Sequence, residues 1–165
     1  MNGKPVTLFR DAPAFAAALP AFGSLLALDV SPRRIGFAGT DAGRRLVTPL
    51  ATWARRRLDD DLAEIARLVR ARDVVAFVVG WPLELDGRRG PSCDRVRSFV
   101  GALLRYIALP LFLQDERLTT AAVEQAIEEG RLSLRPGEPR DHLAAAVILE
   151  DALRATGMAA SSRPL

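Results

Sequence analysis

Residues 74–79 read Val-Val-Ala-Phe-Val-Val, apolar at every position and β-branched at four of six. A strand with one wet face alternates apolar and polar residues. A strand that is apolar on both faces must be covered on both, as in the parallel sheets of α/β domains. This run therefore predicts a buried strand with helices packed above and below it. Amphipathic helices on either side in sequence supply that cover. Asp59 to Arg72 places Leu62, Ile65, Ala66 and Val69 on one face, with acids at its start and arginines at its end, as the helix dipole favours. After a loop at Trp81 to Gly90, Ser92 can cap a helix that runs to about Tyr106.

The remaining pattern extends the sheet. Ser24 to Asp29 is a short apolar run, and Arg34 to Thr40 follows it after the turn Val30-Ser31-Pro32-Arg33. Arg45 to Leu50 reads as a third strand, and the tight connections make these three antiparallel neighbours. Leu109 to Gln114 is another buried strand. Helices are predicted at Thr119 to Glu129, closed by Gly130, and at Asp141 to Thr156. The order predicts an α/β domain with a mixed five-stranded sheet flanked by helices. The expected organisation is a partly helical N-terminal extension over 1–23, a folded domain over 24–156 and a flexible tail over 157–165. No G-x-G-x-x-G follows the first strand, which argues against a dinucleotide-binding fold.

Composition narrows the chemistry. The chain of 165 residues is 49% hydrophobic and 26% charged, the mix of a globular domain with its own core. Cys93 and His142 are the only cysteine and histidine, which excludes cysteine cages and two-histidine zinc sites and suits a reducing cytoplasm. The net charge is +3, and the basic residues are arginine except for Lys4. Arginine favours bidentate phosphate contacts, so an anionic partner is expected. No apolar stretch is long enough for a membrane-spanning helix.

Acids mark the ends of the apolar segments. Asp29 ends the first buried strand, Asp115 and Glu116 end the last, and Asp141 opens the final helix. A carboxylate there is costly unless a cation balances it, and several at neighbouring strand ends make a hard oxygen site for Mg²⁺ or Mn²⁺. The alternative is that Asp29 and Asp115 begin turns while Asp141 caps a helix. Asp141 shares a helical face with Ala144, Ala145, Ile148 and Leu149, which turns it toward the sheet. His142, one position on, is a candidate proton shuttle or a helix-start histidine.

Four blocks, in order, resemble one family. They are Leu25 to Asp29 continuing through Arg34-Ile35-Gly36-Phe37-Ala38-Gly39-Thr40-Asp41; Val78-Val79-Gly80-Trp81-Pro82-Leu83 with Asp86-Gly87 and Gly90-Pro91; Asp115-Glu116-Arg117-Leu118-Thr119-Thr120; and Asp141-His142-Leu143-Ala144-Ala145-Ala146. The chain is similar to the YqgF/RuvX family, RuvC-like proteins of ribonuclease H-like fold described as pre-16S rRNA nucleases or Holliday-junction resolvase homologues. The resemblance implies a metal-dependent nuclease that processes the 5′ end of precursor 16S rRNA, with Asp29, Glu116 and Asp141 as catalytic, metal-binding acids. It also implies Mg²⁺ or Mn²⁺ as cofactor and nucleic acid as partner, with ribosomal subunits as a further one. Arg33, Arg88, Arg89 and Arg117 are the expected substrate-binding residues. The alternatives are a DNA nuclease of the Holliday-junction type and a module that binds structured RNA without cutting it. Ser31 departs from the family's usual glycine, and Trp81 from a commoner aliphatic residue.

Overall fold

The computed structural model describes residues 7–83, 86–116 and 119–158. Along the chain run β1 (Leu8–Phe9), α1 (Ala12–Ala18), β2 (Ser24–Val30), β3 (Arg34–Thr40), β4 (Val47–Ala54), α2 (Leu58–Arg72), β5 (Val74–Trp81), α3 (Pro91–Tyr106), β6 (Leu111–Asp115), α4 (Thr119–Glu128) and α5 (Asp141–Ala155). The strands form one sheet in the order β1-β6-β5-β2-β3-β4. β1, β6, β5 and β2 are parallel, whereas β3 and β4 pair antiparallel to their neighbours.

The apolar run sits in β5, between β6 and β2, and is covered on both faces as its composition requires. On one face Leu26, Leu28, Ile35, Phe37, Phe77 and Val79 pack with Leu62 and Ile65 of α2 and with Val96, Phe99 and Leu103 of α3. On the other, Ala27, Ala38, Ala76 and Val78 meet Ala145, Ile148, Leu149 and Ala152 of α5. The small strand residues on this second face let α5 lie close to the sheet.

The expected five strands are six. The extra one, β1, has two residues, too few for an alternating pattern to be legible, and it forms by pairing with the open edge of β6. Behind it, Asp11 accepts the Ala14 N–H and caps α1, whose Phe15 is fully buried and stacked on Phe112 at 5.3 Å. β4 starts later and runs further than the predicted Arg45 to Leu50, because the Asp41 carboxylate accepts the N–H groups of both Arg45 and Leu46 and holds them in the turn. Pro49 is tolerated in β4 because that strand is an edge, beside a register shift at Phe37/Ala38. Trp81, expected in a loop, ends β5. Helix α3 is capped by Gly90 rather than Ser92, with Pro91 setting the first helical φ while the Ser92 hydroxyl accepts from Arg95. Among the described residues no helix is long and apolar enough to cross a membrane.

Candidate active site

Asp29 lies one residue before the end of β2, and glycines flank it on both neighbouring strands. Gly36 is its register partner on β3, and Gly80 follows Val79, the partner of Leu28, on β5. Residue parity turns Asp29 and both glycines toward the α5 face. A Cβ at Gly36 would meet the Asp141 carbonyl oxygen at 2.0 Å, and one at Gly80 would meet Glu116 Oε2 at 2.4 Å. Each glycine therefore admits one further acidic residue beside Asp29, Asp141 from the start of α5 and Glu116 from the end of β6.

The resulting electrostatics are unfavourable for full ionisation. Burial, reinforced by the nearby charge of Asp141, pushes the Asp29 carboxyl up to about 7. Burial again, with Asp29 and Asp115 adding repulsion, pushes Glu116 up to about 8. Among the described residues Asp29 forms no ion pair. Asp141 is paired, its Oδ2 accepting from Arg34 Nε at 2.9 Å. Perturbed acids clustered at parallel strand ends have the character of a functional site.

A cleft opens over this cluster, lined by Asp29, Ser31, Arg55, Ser92, Arg95 and Glu116 among others. Arg55 bridges the cleft wall to the scaffold. Its Nε donates to Asp61 at 3.1 Å and its Nη1 to the Ser31 carbonyl at 3.2 Å. Ser31, the departure from glycine, uses its hydroxyl to close the β2–β3 turn, donating to the Arg34 carbonyl and accepting the Arg34 N–H.

Hard carboxylate oxygens that repel one another are the donor set that a divalent cation neutralises. Asp29 and Glu116, each beside a glycine cradle, fit that chemistry. As placed, however, no three acidic or imidazole groups among the described residues stand close enough to enclose an ion, and Asp141 is held by Arg34.

His142 is buried, with its ring fixed at both nitrogens. Nδ1 lies 2.8 Å from the Thr52 hydroxyl and Nε2 lies 3.3 Å from Glu138. The Thr52 oxygen also accepts the His142 backbone N–H, so one hydroxyl holds both the ring and the backbone of His142. This ring anchors the start of α5 to β4. Of the expected substrate-binding arginines, Arg33 is exposed on the turn after Asp29, Arg88 is paired with Asp86, and Arg89 is exposed over Trp81. Arg117 lies outside the described residues. Arg34, Arg55 and Arg95 are site residues that the sequence reading did not assign. Glycines inside otherwise apolar strands were the available signal for the cradles.

The sequence model for "RuvX: Holliday junction resolvase" matches residues 23–155. A Rhodobacter capsulatus protein named "Putative pre-16S rRNA nuclease" is 42% identical over 140 residues, covering 84% of this chain and 88% of the relative. One of the same name from Rhodospirillum rubrum is 41% identical over 143 residues, covering 86% and 89%. Among solved structures, Thermus thermophilus RuvC in complex with a Holliday junction substrate aligns with a TM-score of 0.56 at 15% identity, over 83% of this chain and 98% of that one. A second Thermus thermophilus RuvC structure gives 0.54 at 14% identity, over 81% and 96%. The fold is thus the ribonuclease H-like fold of RuvC.

Proposed function

Since the chain belongs to the RuvX family, a family of nucleases, we propose that it hydrolyses phosphodiester bonds of precursor 16S rRNA with Asp29, Glu116 and Asp141 as its catalytic acids. The observation that carries this reading is the pair of strand glycines beside Asp29, each admitting one of the other two acids against the sheet. Those acids would hold Mg²⁺ or Mn²⁺, which supplies Lewis-acid stabilisation of the phosphorane charge and a deprotonated water at neutral pH.

The chain's own residues prepare the site. Gly36 and Gly80 let the carboxyl-bearing segments approach. Arg55 holds the Ser31 carbonyl and so the turn that follows Asp29. Arg34 neutralises Asp141 in the resting site, and it is exposed enough to exchange that partner for a substrate phosphate. The substrate comes from the names of the relatives, and the cytoplasm, with ribosomal subunits as partners, follows from that substrate and from the lone buried cysteine.

The test is single-turnover cleavage of matched RNA and DNA substrates, with Mg²⁺, with Mn²⁺ and with chelator. Asp29→Asn keeps the shape of the strand end and removes its charge. We expect cleavage to fall at least about 10³-fold, because metal-linked stabilisation amounts to several kcal/mol. Binding should persist or tighten, since a negative charge facing phosphates is gone. Parent protein that cuts neither substrate with either metal would overturn the reading, as would cleavage indifferent to chelator. Cleavage of junction DNA but not of precursor rRNA would move the substrate to DNA.

A further inference from the structure

Residues 7–22 lie outside the segment that the family model matches, residues 23–155, yet they are built onto the sheet. Leu8 and Phe9 pair with Leu111 and Phe112, and the Leu111 N–H donates to the Thr7 carbonyl at 2.6 Å. Phe9 and Phe15 are in ring contact at 5.9 Å, and Phe15 is fully buried. The strand direction carries the next residue, Arg10, toward the sheet end where the acids lie. There its guanidinium carbon stands 5.2 Å from the Trp81 ring.

A second guanidinium arrives from the other side in sequence. Arg89, in the loop before α3, stands 5.8 Å from the same indole. Trp81 has its backbone beside the acids and its ring packed on the α2 and α3 face of the sheet. It ends β5, follows Gly80, pairs in register with Asp115, and its carbonyl accepts the Glu116 N–H at 3.2 Å. Only 7% of Trp81 is exposed, so the ring serves as a fixed platform. Both arginines are exposed, and among the described residues neither forms an ion pair. Arg88, their neighbour, differs, since Asp86 already occupies it.

Two like charges drawn to one ring repel each other, while each gains only about 0.5–1 kcal/mol from the π face at an exposed position. A guanidinium stacked on a ring keeps its N–H donors in the plane, free for a second partner. Phosphate is the anion that guanidinium forks match. We infer that Arg10 and Arg89 form a two-arginine clamp over Trp81 that grips a backbone phosphodiester of the nucleic acid at the same end of the sheet as the catalytic acids. This rests on the nuclease reading and assigns part of its substrate grip to the extension. Arg10 comes from a fixed strand edge and Arg89 from a loop, so the clamp has one rigid jaw and one adjustable one.

The experiment measures binding of a fluorescein-labelled RNA hairpin and of a labelled DNA four-way junction by the full chain in chelator, across about 50–300 mM salt. Arg10→Gln and Arg89→Gln should each reduce the slope of log affinity against log salt by about 0.7–0.9, one phosphate contact, and the double variant by about twice that. Arg10→Lys should restore most of the slope, because it keeps the charge. A reduced slope with the RNA alone, or with the DNA alone, supports the clamp and names the nucleic acid that it holds. Unchanged slopes in both variants, with the parent slope steep, overturn the clamp and leave the nuclease reading standing. A parent whose affinity is flat with salt on both probes overturns the two together. If Arg10→Gln does not fold, Arg89→Gln decides the question, because that loop residue takes no part in the β1–β6 edge.

Discussion

Asp61 is wholly buried and Asp29 is half-buried at the cleft, and the fold gives them opposite surroundings. Asp61, wholly buried in the first turn of α2, accepts from Trp53 Nε1, from Arg55 Nε and from the Arg56 backbone N–H at 2.9–3.1 Å. Its charge is matched within the chain, and the result ties β4 to α2 and, through Arg55, to the turn after Asp29. Asp29 is given glycines to either side and other acids across them. A fold able to satisfy one buried carboxylate so completely leaves the other in mutual repulsion. The first arrangement serves structure, and the second leaves like charges facing one another at the strand ends.

Three measurements test this contrast, taken in order of decreasing effect. Asp61→Ala strands the partly buried Arg55 guanidinium without its carboxylate, and the expected loss is about 3–5 kcal/mol of unfolding free energy. A urea midpoint close to that of the parent would show that Asp61 is no structural hub. Next, Gly80→Ala places a methyl group against Glu116 Oε2 and Ile148 Cδ1, both ends of side chains that can move. The helices and strands should persist, while Mg²⁺ or Mn²⁺ affinity by calorimetry falls about 10–100-fold, as for other residues that orient metal ligands. Unchanged affinity would mean that Glu116 does not need its cradle.

The smallest effect is on stability against pH in chelator. Asp29 and Glu116 both have folded values raised above their ordinary ones, so the folded state holds more protons than the unfolded state. Their stabilising effect is complete below about pH 4 and is lost as pH rises through 7 to 8. Stability should therefore fall as pH rises from 5 to 7. Asp29→Asn should flatten that slope, and so should added Mg²⁺. A parent whose stability rises over this range would show that the acids are neutralised within the chain.

Much of this was legible before any coordinates. The buried run at Val74 to Val79, the antiparallel pair around Pro32 and the amphipathic helices each follow from local periodicity, and they appear with boundaries shifted by a few residues. The three acids could be singled out because each stands where an apolar segment ends. β1 could not, since two residues carry no period and its formation depends on an edge that exists only once β6 is in place. The Arg34–Asp141 pair spans 107 positions in sequence, and nothing local to either residue announces the other.

The order of residues along the chain dictates which segments must be buried, and on how many faces, because apolar surface repeats at the period of the strand or helix that hides it. It also determined which acids would stand at the ends of those segments. Tertiary structure alone decided which carboxylates would find partners. Asp61 meets Trp53 and Arg55 where β4 passes α2, whereas the charges of Asp29, Glu116 and Asp141 act on one another beside strand positions kept small by Gly36 and Gly80. The cost or gain of a buried charge is set by what lies within a few ångströms of it in space, and the order of residues along the chain does not contain that distance.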